Sequence, residues 1–132
     1  MSSINQNFQQ TSSSLQIVKK VDTFHYKFHS RLVISTTNGK TILLFSEISH
    51  IRSDGNYCEV YTIEKERYLV AKTLKKLTFQ LNHTFARVHQ SYLVNLLDIR
   101  HYAQKNAQLH LISGAIIPVA RSRKAEINAL LK

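Results

Sequence analysis

Cysteine is nearly absent from the 132-residue chain: Cys58 stands alone, so an intrachain disulfide and a thiolate metal cluster are both excluded. Carboxylates are scarce as well. Eight Asp and Glu face eighteen Lys and Arg, a formal charge of +10 at pH 7, and the pI is near 10.0. That balance favours polyanionic partners, nucleic acid or an anionic membrane surface, over acidic small molecules in general. Long apolar runs are missing: none nears the roughly 18 residues of a membrane span, and no basic segment followed by an apolar one opens the chain. Neither membrane insertion nor secretion is therefore expected, and the protein is expected in the cytoplasm. Glycine occurs only three times. Glycine-rich phosphate loops, HExxH and paired-carboxylate signatures are absent, so the expectation is no cofactor, no metal and no enzyme. The one proline, Pro118, lacks an amide hydrogen, which puts its strand at a sheet edge or end.

What remains is enough for one core. At this length, with 43% hydrophobic residues, a single globular domain is expected. The positive charge is unevenly placed. From Lys72 onward ten Lys and Arg stand against two carboxylates, whereas before it eight stand against six. The second half carries the field.

Residues 1–28 open with Ser, Gln, Asn and Thr, a composition that cannot offset the entropy of ordering a backbone, and they are expected to be a partly disordered tail or linker. His25 and His29 sit four apart, a metal spacing on a helix, but Tyr26 and Phe28 interleave as in a strand and no third ligand lies near. The domain proper is placed at 29–132. Strands are expected over Arg31 to Thr37 and Lys40 to Phe45, joined by Asn38-Gly39 in a type I′ turn. Further strands follow at Ile48 to Arg52, at Tyr57 to Ile63 after the Asp54-Gly55-Asn56 turn, and at Arg67 to Ala71. Thr73 offers an N-cap for a short helix from Leu74 to Asn82, with Leu74, Leu77 and Leu81 at helical spacing and Lys75 and Lys76 outward. Phe85 to Val88 and Tyr92 to Val94 are strands, extended by Leu96 to Tyr102. Gln108 to Ile112 and Ala115 to Val119 form a hairpin across Ser113-Gly114. A final helix is expected from about Arg123 to Leu131, capped by Ser122, burying Ile127, Leu130 and Leu131.

Two stretches invite a functional reading. Arg87-Val88-His89-Gln90-Ser91 packs a cation and three hydrogen-bonding side chains against the apolar run that follows, so donors and acceptors sit on a rigid support. Around the last helix, Arg121, Arg123 and Lys124 crowd an N-terminus that the helix dipole already makes positive. A phosphate placed there would resolve the conflict.

Taken in order, these pieces resemble the LytTR DNA-binding domain found at the C-terminus of many bacterial response regulators. The resemblance covers about residues 29 to 132. It rests on Ile48-Ser49-His50-Ile51 with the Gly55-Asn56-Tyr57 turn, on Thr73-Leu74-Lys75-Lys76-Leu77, on Phe85 to Asn95 with its Arg-x-His-x-Ser-x-x-Val-Asn pattern, and on Ile117-Pro118-Val119-Ala120-Arg121-Ser122. It implies a mostly β fold: elongated antiparallel sheets with one short mid-chain helix and a C-terminal helix. It also implies duplex DNA bound as tandem half-sites, with a dimer on DNA compatible with that arrangement. Three loops would enter the major groove, with base contacts at Asn56, Tyr57, His89, Gln90 and Arg121. Arg87, Ser91, Ser122, Arg123 and Lys124 would be phosphate-side neighbours, while Tyr92 and Asn95 brace the loop from behind. Many members have Arg at the Gln90 position; Arg would read guanine, whereas Gln suits adenine. No receiver domain precedes residue 29, so the protein acts alone, answers to a receiver domain or sensor kinase elsewhere, or is an excised fragment.

Two other classes compete. A β-rich RNA-binding module would use Tyr57, Tyr61 and Tyr92 as stacking platforms in a basic groove. An enzyme could pair His89 with Ser91, but residues two apart on a strand are not thereby held in hydrogen-bonding geometry, and only Asp98 offers a neighbouring carboxylate.

Overall fold

A computed structural model describes residues 30 to 132; the tail expected over residues 1–28, and His25 and His29, lie outside the described residues. The described residues form three antiparallel sheets. Arg31–Thr36 (β1) and Gly39–Leu44 (β2) pair as a two-stranded sheet. Their turn is centred one residue earlier than expected, on Thr37 and Asn38. Asn38 does not take the positive φ that a type I′ turn demands; Gly39 alone does, at +141°.

Five strands form the central sheet: β3 (Ile48–Asp54), β4 (Tyr57–Thr62), β5 (Arg67–Val70), β6 (Phe85–His89) and β7 (Tyr92–Asn95), in the order β5-β4-β3-β7-β6. The β3–β4 hairpin closes with Asp54 opposite Tyr57, and Gly55 takes φ +66°, a conformation costly for a residue with a Cβ. Between β5 and β6 runs helix α1 (Leu74–Gln80); the Thr73 hydroxyl accepts the Lys76 amide as its N-cap, as its position just ahead of the leucines led one to expect. Leu81 falls just past the helix end and packs half-buried.

The third sheet is β8 (Ile99–Ala103), β9 (Gln108–Leu111) and β10 (Ile116–Pro118), in the order β10-β9-β8. Pro118 is thus on an edge strand. The expectation that Leu96 to Tyr102 continues the preceding strand fails at Asn95. Asn95 turns the chain: its Oδ1 accepts the Leu97 amide and its Nδ2 donates to the carbonyl of Ile48, so Leu96–Asp98 makes a 3₁₀ turn and β8 starts in another sheet. The last helix, α2, is Lys124–Leu130, preceded by a 3₁₀ turn over Arg121–Arg123. Ser122 lies inside that turn and caps nothing; Leu130 and Leu131 are exposed, and only Ile127 is buried.

Alternation along β6 and β7 divides the interior in two, since successive side chains of a strand point to opposite faces. Phe85 and Leu93 join Leu32, Ile34, Phe45, Ile51, Val60 and Leu77 on one face. Ala86, Val88 and Val94 join Leu109, Leu111, Ile117, Val119 and Ile127 on the other. Each face of the central sheet thereby has its own packing partners, β1, β2 and α1 on one side and β8 to β10 with α2 on the other. Among the described residues no helix is long and apolar enough to cross a membrane.

Candidate nucleic-acid interface

Because β3 pairs antiparallel with both β4 and β7, and β7 with β6, the β3–β4 turn and the β6–β7 turn leave the sheet at the same end. The Ser53 amide donates to the Ser91 carbonyl at 2.9 Å, fixing the two turns at one level. On the outer side of β6, the Ala120 amide donates to the Val88 carbonyl at 2.8 Å. Arg121 therefore follows directly on a residue tied to β6 one position before His89. With strands about 4.8 Å apart, the row from the Asn56 turn through Gln90 to Arg121 spans roughly 15 Å, comparable with a major groove roughly 12 Å wide.

Asn56, Tyr57, Gln90, Arg121 and Ser122 are all exposed. His89 is held half-buried, its ring set edge-on against Tyr92 with centroids 5.8 Å apart. The Ser91 amide donates to His89 Nδ1 at 3.1 Å. An accepting Nδ1 leaves the proton of the neutral imidazole on Nε2, so the ring presents a donor to an outside acceptor. The same bond occupies the nitrogen that an enzyme reading would have offered to Ser91.

Arg87 is placed differently from its expected neighbours. Its Nε donates to the His89 carbonyl at 3.1 Å and its Nη2 to the Gln90 carbonyl at 2.6 Å, so the guanidinium braces the turn from within the sheet. Burial and the nearby Arg123 push its pKa down from the usual arginine value, with a small opposing effect from Cys58. That repulsion also shows that Arg87 and Arg123 share one neighbourhood. Arg123 has Glu126 at 3.5 Å, an exposed pair of little energetic weight. Lys124, half-buried, starts α2. Asp54, exposed beside Gly55, is a carboxylate at the same end.

Tyr92 and Asn95 were both expected behind the loop. Tyr92 is: it leads β7 directly under the turn. Asn95 sits at the far end of β7, buried, and there ties the strand to Phe45 and Ile48.

Two polar groupings went unseen in the sequence. Glu59 is buried on β4, where Arg52 (2.8 Å) and Arg67 (2.6 Å) bind its two oxygens and the Tyr61 hydroxyl donates at 3.0 Å. Burial pushes this carboxyl up, but the three donors outweigh it and hold the pKa below the usual value. The signal was present: once the Gly55 turn fixes the register, Arg52 falls opposite Glu59. The second grouping is Ser49, His50, Asp98 and Ser113, which join through a contact between Ser49 and Asp98 that no local pattern announces.

The family model for the LytTr DNA-binding domain matches residues 41–132. Among solved structures, the chain is similar to the LytTr DNA-binding domain of a protein described as a methyl-accepting/DNA response regulator from Bacillus cereus. The two share 24% identity at a TM-score of 0.66, over 77% of this chain and 96% of the other. No curated protein matches the sequence.

Proposed function

The chain belongs to the LytTR DNA-binding domain family, and from that premise we propose that it is a transcriptional regulator that binds specific duplex DNA, its sheet-end loops reading the major groove. One observation carries the reading. The Ala120–Val88 hydrogen bond joins the Arg121 turn to the Gln90 turn, at the end of the sheet that also bears Asn56. Asn56, Tyr57, His89, Gln90 and Arg121 face base edges, while Ser91, Ser122, Arg123 and Lys124 fix the register on phosphates. Arg87 acts from behind, holding the turn open and adding to the field.

Two copies on tandem half-sites, dimeric on DNA, fit the small footprint of one such edge. The input comes from a receiver domain or sensor kinase system. A cytoplasmic location, and a role without catalysis or cofactor, follow from the same assignment. An RNA-binding role has less support: Tyr61 is stacked on His50, so one of its three platforms is already covered.

Selection of duplexes from a random pool tests the proposal. A recurrent motif, present as two copies at fixed spacing, is expected; a bound pool without sequence preference would overturn it. Arg121→Ala should weaken binding to the selected site by roughly 1–3 kcal/mol and relax discrimination at one base pair.

A further inference from the structure

The face of the central sheet that carries Val94 is only partly covered by β8 to β10. Beside the β9–β10 turn it leaves a cleft of about 610 Å³, within the size range of small-molecule sites. His50 forms part of its wall and is only 8% exposed. Ser49 has one hydroxyl proton, and it goes to Asp98 at 2.6 Å. The 3.2 Å contact between Ser49 Oγ and His50 Nδ1 must therefore be made by a proton on the ring. Nε2 is then a bare lone pair, and no described residue donates to it. Buried polar atoms without a partner are rare and call for one.

The rest of the wall narrows the partner's chemistry. Lys65 and Arg52 line the cleft and no carboxylate does. Arg52 is partly neutralised by Glu59, whereas Lys65 has no ion pair among the described residues. Tyr92 and Ile116 supply flat and apolar surface. We propose that this cleft, which meets the DNA edge at Tyr92, is a binding site for a small planar acid that carries a hydroxyl or amino donor. The donor goes to His50 Nε2, the carboxylate faces Lys65 and Arg52, and the ring lies along Tyr92.

Titration of the isotopically labelled protein with 4-hydroxybenzoate, followed by amide NMR, tests this. Saturable shifts confined to residues around Tyr61, Tyr92 and Gly114 are expected, with a dissociation constant in the millimolar range or tighter for a ligand of this size. Benzoate, which lacks the donor, should bind about tenfold more weakly. In His50→Phe, which keeps a ring against Tyr61, the two acids should bind alike; Lys65→Ala should weaken both. Shifts that do not saturate, that spread over the whole cationic surface, or that are unchanged in both variants would overturn the site. Should His50→Phe fail to fold, the comparison of the two acids on the unaltered protein and on Lys65→Ala decides the matter. Equal affinity for both acids on the unaltered protein then rejects the role of His50.

Discussion

Gln90 shows how one side chain can decide what a shared scaffold reads. A glutamine amide pairs with adenine through one donor and one acceptor, whereas an arginine offers two donors to guanine. Gln90→Arg should therefore move the preferred base at that step from adenine toward guanine in a repeated selection, with the other positions of the motif unchanged. His50 gives a second prediction at this scale. Burial lowers its pKa from 6.5 to about 4, against a weaker opposing pull from Asp98. In the unfolded chain the ring takes up a proton near pH 6.5, while in the folded chain it resists until about pH 4. Stability from this group is thus fully present above pH 6.5 and is lost as the pH falls toward 4, by about 3 kcal/mol in all. Denaturant titrations at a series of pH values should show that slope, and His50→Phe should flatten it. Neither His50 nor Glu59 stood out in the sequence, because each is buried through partners on other strands, and only register reveals those. Gln90 and Arg121 did stand out, because polar and cationic residues set directly against apolar runs are visible without any tertiary knowledge.

Among the elements, the strands and the mid-chain helix were legible because local rules agree with the fold. The alternation of Tyr57 to Thr62, the turn glycine at 55 and the Thr73 cap each dictate their structure within a few residues. Thr73→Ala should cost α1 about 1 kcal/mol, read as a lower denaturation midpoint with an unchanged slope against denaturant. The corner at Leu96–Asp98 was not legible. It depends on Asn95 reaching the Ile48 carbonyl, a contact between distant parts of the chain. The start of the last helix was misjudged because Ser122 has the right residue type for a cap, yet the preceding 3₁₀ turn already engages the Arg123 amide with the Ala120 carbonyl. Ile127 is the one residue of α2 that is fully inside. Ile127→Ala should cost roughly 2–5 kcal/mol, and because α2 follows directly on Arg121, DNA affinity should fall with it.

For the molecule as a whole, the charge asymmetry now has a location. Arg121, Arg123 and Lys124 come from the cation-rich half of the chain, and they follow directly on Ala120, which is tied to the Val88 carbonyl two residues before Gln90. Log affinity for duplex DNA should fall linearly with log salt, with a slope of about −0.9 for each phosphate neutralised. Lys124→Ala should reduce that slope by about one while leaving the preferred sequence intact, which anisotropy titrations at several salt concentrations would measure. A loss of sequence preference instead would move Lys124 from the phosphate-side group to the base-reading one.

The Ala120–Val88 hydrogen bond bears on biogenesis as well as recognition. β3, β4, β6 and β7 all lie before residue 96, so the strands that support the edge are synthesised before the segment that brings Arg121. On the proposed reading, a product ending before that segment would keep Asn56, Tyr57, His89 and Gln90 but lack Arg121, Arg123 and Lys124, and should hold its DNA site more weakly.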